Sequence, residues 1–228
     1  MAVQGVMTSE VRLDLSYITH TTGLGTYYAV DGERDVHAVA GRPVQPLTGY
    51  DVQRPGTLAH GALLVGGRFA DQTGFDPLVS RVVTDQLYAA ADAEFGLAVG
   101  GWYPARLATV NRFLSIDGRS HERLVMVPGQ FRAVQETAPG EHATGIERLY
   151  GSLAFEVYHA PITATDFVAP TIWAVEAIGV GGEIAFRVQT EDDSGMVDRV
   201  VVLYRFEGEE VWRKAELAYD AEIGRAHV

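Results

Sequence analysis

The chain has no cysteine, which removes disulfide scaffolds, thiolate zinc sites and cysteine nucleophiles together. Positive charge is scarce: 18 Lys and Arg stand against 30 Asp and Glu, a formal net charge of −12 over 228 residues. No basic patch is therefore at hand to neutralise nucleic-acid phosphates. The longest block of like charge is Glu191-Asp192-Asp193, so the acidity is spread over a surface instead of gathered in a tail. No apolar run approaches the roughly 20 residues that span a bilayer. The opening "MAVQGVMTSEVRLDL" lacks the basic start and apolar core of a signal peptide. P-loop, dinucleotide and H-E-x-x-H fingerprints are missing. "YGSLA" around Ser152 lacks the second glycine of a nucleophile elbow.

What is present is period-two alternation. Val11, Leu13, Leu15 and Tyr17 alternate with Arg12, Asp14 and Ser16, as in a strand with one wet face. In "LYGSLAFEVYH", Leu149, Leu153, Phe155 and Val157 fall on one side, and Tyr150, Ser152, Glu156 and Tyr158 on the other. Ile184, Phe186 and Val188 alternate in the same way. The run Val200 to Tyr204 is apolar on both faces, which predicts a central strand. Further strand candidates are "LGTYYAV", "AHGALLVGG", "LATVNRFLSI", "HERLVMVP", "PTIWAVEAI" and "VWRKAELAY". Asp117-Gly118 predicts a type I′ hairpin turn. Asp76 and Pro77 ahead of "LVSRVVTDQLYAAADAE" suit a helix N-terminus, or equally a short strand. The three Val-Gly-Gly triplets, at 65–67, 99–101 and 180–182, read as strand-end turns.

The Pro- and Thr-rich stretch "APITATDFVAP" marks a boundary. The fold expected is all-β: a mostly antiparallel β-sandwich over residues 1–162 with at most one or two short helices, then a second β unit over 166–220. The segment "APTIWAVEAIGVGGEIAFRVQTEDDSGMVDRVVVLYR…VWRKAELAYD" resembles the immunoglobulin-like repeats of large secreted bacterial proteins. That resemblance covers about the last quarter of the chain. It implies an extracellular setting within a longer protein, beside neighbouring domains, and a role as spacer, adhesin or carbohydrate-binding appendage. Four strands are fewer than a full seven-strand sandwich, and the preceding region can supply the remainder.

Three residue groups are candidates for function. Glu191, Asp192 and Asp193 offer oxygens to calcium, although they depart from the EF-hand spacing and equally suit an Asx-turn completed by Ser194-Gly195. A second acidic loop holds Asp71 and Asp76. His20, His37 and His60 lie in the N-terminal strand region, and convergence would give a three-ligand site for zinc or another divalent metal. The remaining four histidines show no metal spacing, and His159 closes an apolar row that suits packing. Trp102-Tyr103 in "GGWYPARL" would suit stacking on sugar rings. The leading expectation is a non-catalytic binding or structural module, with a polysaccharide or cell-surface ligand and calcium stabilisation. The competing one is a metal-dependent hydrolase of esters or phosphoesters with a His/Asp site.

Overall fold

The structure, a computed structural model, describes residues 6–80, 99–135, 144–164, 170–193, 195, 197, 199–220 and 225–227. The described residues form strands and turns with no helix. In chain order the strands are β1 (Met7–Asp14), β2 (Tyr17–Thr22), β3 (Gly25–Val30), β4 (Val36–His37), β5 (Gln45–Pro46), β6 (Thr48–Asp51), β7 (Thr57–Phe75) and β8 (Ala108–Leu114). There follow β9 (Ser120–Met126), β10 (Gly129–Ala133), β11 (Gly145–Pro161), β12 (Thr171–Val180), β13 (Glu183–Glu191), β14 (Val200–Tyr204), β15 (Arg213–Asp220) and β16 (Arg225–His227). Sheet orders are β1-β11-β10 with β7 also on β11, β6-β9-β8, and β12-β13-β16-β15-β14, besides the small pairs β2-β3 and β4-β5. The hairpins β2–β3, β8–β9, β10–β11, β12–β13 and β14–β15 are antiparallel, as alternation with short turns requires. The all-β, antiparallel class read from the sequence is the class observed.

The chain forms two compact units that are discontinuous in sequence. One comprises residues 12–52 and 68–153, the other 1–11, 53–67 and 154–228. In the first, Phe75, Phe131 and Ala133 form a buried cluster with Tyr28 and Val79 against it. In the second, Val188 and Leu217 are covered by Phe186, Val200 and Val202. Full burial of a side chain such as Phe131 stabilises its unit by about 2–3 kcal/mol.

Several local expectations need correction. The β8–β9 turn is not type I′: Asp117 has negative φ, Gly118 alone is left-handed at +77°, and Leu114 pairs with Ser120 across a five-residue loop. Ser115 N–H donates to the Arg119 carbonyl and Gly118 N–H to the Ser115 carbonyl, both at 2.9 Å. The two-residue turn with positive φ at both positions is instead Gly181-Gly182, where β12 meets β13. The triplet at 65–67 is no turn, since β7 runs through it. β14 closes the order of its sheet and is half-buried throughout, not central. Tyr150, assigned to a wet face, is buried, because its hydroxyl finds the Gln130 carbonyl oxygen at 3.0 Å. Pro77 and Val79 form β-bridges with Thr26 and Pro43, so 77–80 is not a helix start; the rest of that helix expectation lies outside the described residues. His159 is fully buried as expected, with Ser9 Oγ 2.8 Å from its Nε2.

The first unit also buries a carboxyl. Glu147 on β11 is 1% exposed and accepts a hydrogen bond from the Gln45 amide at 3.2 Å, a neutral partner. Burial pushes its pKa from 4.5 up to about 8, against a small opposing effect of Gln45. The folded state thus binds a proton that the unfolded chain releases between these values. Stability from this group is complete below pH 4.5 and is lost as pH rises towards 8. The expected loss is a few kcal/mol, at ~1.4 kcal/mol per pH unit. Urea unfolding at pH 5 and pH 8 checks this: Glu147→Gln should flatten the dependence, and an unchanged slope would show that Glu147 is not its source.

Candidate functional site

Trp102 and Tyr103 follow Gly100-Gly101 and enter the first unit as a short extended segment. The Tyr103 backbone N–H donates to the Phe131 carbonyl at 2.8 Å, and the Phe131 N–H returns to Tyr103 at 2.7 Å. The Tyr103–Pro104 peptide is cis, and the Pro104 carbonyl accepts from Gln130 Nε2 at 2.8 Å. Both aromatic side chains are half-buried. Neighbouring residues of an extended chain point to opposite sides, and the two rings meet different surroundings.

Trp102 belongs to a stack. The Arg132 guanidinium carbon lies 4.7 Å from the Trp102 ring centroid and that of Arg148 lies 4.1 Å from it. Arg148 also lies 3.8 Å from the centroid of Phe69. Its fork is held by Asp71, with Nε and Nη2 donating to Oδ1 and Oδ2 at 2.7 and 2.8 Å. A guanidinium engaged by a bidentate carboxylate and two aromatic rings is charge-compensated and geometrically locked. Asp71, offered above as a metal ligand, spends its oxygens here. The half-buried Trp102 ring lies against two guanidinium groups.

Tyr103 has a different company. Its hydroxyl is 3.1 Å from His37 Nε2, and the two rings stack at 6.0 Å and 27°. The Arg42 guanidinium carbon lies 5.7 Å from the Tyr103 ring centroid. Burial lowers the His37 pKa, which keeps the imidazole neutral near pH 7. Burial raises that of the Tyr103 phenol, against the pull of the Arg42 charge. Phenol and imidazole are therefore both neutral near pH 7 and hydrogen-bonded to each other, and a cation stands over the ring. No carboxylate among the described residues pairs with Arg42. This constellation can donate and accept hydrogen bonds and attract an anion.

The other candidates are dispersed. His20 on β2 stacks on Tyr27 of β3 at 4.8 Å and 15°. His37 sits on β4 and His60 on β7, the latter in the other unit. No three His, Asp or Glu side chains among the described residues are grouped to hold a metal ion. In the acidic stretch, Glu191 ends β13 and accepts from the Trp173 indole at 3.2 Å. The Asp192 carbonyl accepts from Gly195 N–H at 3.0 Å, with Gly195 left-handed at +72°. Those bonds are turn bonds. Nearby, Arg199 donates to Glu216 at 2.8 Å, to the Tyr158 hydroxyl at 3.2 Å and to Glu156. Lys214 adds a contact to Glu216 at 3.0 Å, which leaves that network compensated within itself. The edge strand β12 carries an apolar surface: Ile172, Trp173 and Val175 are 62%, 65% and 61% exposed.

Sequence reasoning thus named His37 and Tyr103 for separate sites, and the fold makes them neighbours. It missed Arg42, Arg132 and Arg148. The one available signal was Glu147-Arg148, a charged pair interrupting the apolar alternation of β11, where charges must be paired or neutral.

No family model matches the chain, and comparison with curated proteins found no match. Among solved structures, a chain in the complex of the pro- and mature domains of RgpB from Porphyromonas gingivalis has a TM-score of 0.37 and 16% identity. It covers 72% of this chain and 82% of its own length. A structure addressing the zymogenic latency of gingipain K from Porphyromonas gingivalis has a TM-score of 0.39 and 14% identity, with 70% and 95% covered. Both scores lie below those of chains that share a fold.

The Arg148 stack sets an expectation for stability. Arg148→Ala leaves the Asp71 carboxylate without its partner and two rings without a filler, and should cost about 3 kcal/mol in urea unfolding. Arg148→Lys keeps the charge but loses the fork and the planar stack, and should recover less than half. Wild-type stability in either variant would show that the stack does not hold the unit.

Proposed function

We propose that this chain is a non-catalytic extracellular module, part of a longer secreted protein, that binds a polysaccharide through the Tyr103 face of the first unit. The observation that carries this reading is the convergence of His37 and Arg42 on a half-buried tyrosine whose backbone is pinned to β10. Sugar sites combine an aromatic ring with a few fixed polar groups, and both are supplied here. Fixed groups bind better than mobile ones because less ordering entropy is lost. The likeness of the C-terminal strands to secreted repeats supports the extracellular setting. Calcium belongs to the proposal as a second ligand, on the strength of the contiguous carboxylates Glu191, Asp192 and Asp193.

A glycan array probed with the full chain should return polysaccharide ligands, and Tyr103→Ala should abolish them while leaving the melting temperature within a few degrees. Thermal melts with calcium and with a chelator should differ by several degrees. An empty array, together with superimposable melts, overturns the binding-module reading.

A further inference from the structure

We propose that His37, Arg42 and Tyr103 form a subsite for a sugar carboxylate, so that the ligand is an acidic polysaccharide built from uronate units. The inference rests on the binding-module reading and assigns it a substrate class. Among the described residues, several guanidinium groups pair with a carboxylate. Arg148, Arg199, Arg112 and Arg213 do so, through Asp71, Glu156 and Glu216, Glu122, and Glu209. Arg42 is half-buried and has only the Tyr103 ring as a side-chain partner among the described residues. A half-buried cation gains from a ligand that brings an anion to it.

A carboxylate on a hydroxyl-rich ring suits the three groups together. The guanidinium fork matches the two oxygens of a carboxylate. Beside it, the neutral His37–Tyr103 pair presents one acceptor and one donor, which suits ring hydroxyls. All three side chains stand on anchored backbone. His37 pairs with Gln45 across β4–β5, and Tyr103 is bridged to Phe131. The Arg42 carbonyl accepts from Ser80 N–H at 2.9 Å, and its own N–H donates to Val39 at 3.0 Å. The subsite is therefore formed before the ligand arrives.

Isothermal titration with four probes tests this: an oligogalacturonide, a neutral galactose oligomer, monomeric galacturonate and sodium acetate. The oligogalacturonide is expected to bind roughly ten-fold or more tighter than the neutral oligomer, by the margin of a charge-assisted hydrogen bond. Monomeric galacturonate should bind weakly and acetate not at all. Arg42→Ala should remove the preference for the acidic oligomer, Arg42→Lys should keep part of it, and Tyr103→Phe should weaken both oligomers. Should Arg42→Ala not fold, Arg42→Lys and Tyr103→Phe carry the test. Equal affinity for acidic and neutral oligomers overturns the carboxylate subsite and leaves the binding module standing. Acidic binding that survives all three substitutions also overturns it, and binding of acetate as tight as the oligomer assigns the site to free carboxylates instead. Failure of every probe on this and on the array overturns both.

Discussion

The Arg148 guanidinium is the contact on which the first unit turns. It lies between the rings of Phe69 and Trp102, with Asp71 closing its fork. Three stretches of chain far apart in sequence meet on that one planar group: β7 through Phe69 and Asp71, the segment after Gly100-Gly101, and β11. A cation buried without compensation would cost many kcal/mol, so the group tolerates only an arrangement in which all its partners are present at once. This makes the arrangement specific, and it determines where the Trp102–Tyr103 dipeptide lies. With Trp102 committed to the stack, Tyr103 is turned towards His37 and Arg42.

Next to Arg148 on the same strand, Glu147 follows the opposite logic. Arg148 is buried and stays charged because a carboxylate and two aromatic faces meet it. Glu147 is buried beside a neutral amide, so the carboxyl is held protonated well above its ordinary range. Tyr17, whose hydroxyl donates to the carbonyls of Pro128 and Tyr150 at 2.9 and 2.6 Å, lies in the same polar interior, and burial raises its pKa too. The interior is thus hydrogen-bonded with little ionic character. The Arg148–Asp71 ion pair is placed where it also orients the surface.

The acidic stretch at 191–193 looked in the sequence like the sharpest pointer to chemistry. Glu191 accepts from the Trp173 indole at a strand end, and the Asp192 carbonyl accepts from Gly195 in a turn. The group proposed here as the ligand site was quieter. It consisted of one histidine, one arginine and one tyrosine separated by 66 residues end to end, each unremarkable alone. The exposed apolar surface of β12 was equally hidden, because an alternating strand reads the same at an edge as in the middle.

Local physics determined much of this protein from its sequence. Alternation over 149–158 and 183–189 and the β-rich "HERLVMVP" gave strands where β11, β13 and β9 lie, glycine pairs gave the β12–β13 turn, and the apolar row ending at His159 gave a packed histidine. Each of these depends on neighbours within a few residues, where steric and hydrophobic preferences act directly. Tertiary structure alone decided that β14 closes its sheet, that Tyr150 is buried, and that Arg148 meets Asp71 while Arg42 lies over the Tyr103 ring. Those outcomes depend on which surfaces cover a strand and which charges meet across scores of residues. Periodicity specifies a face, but the packing partner decides whether that face is dry and whether its charge is answered.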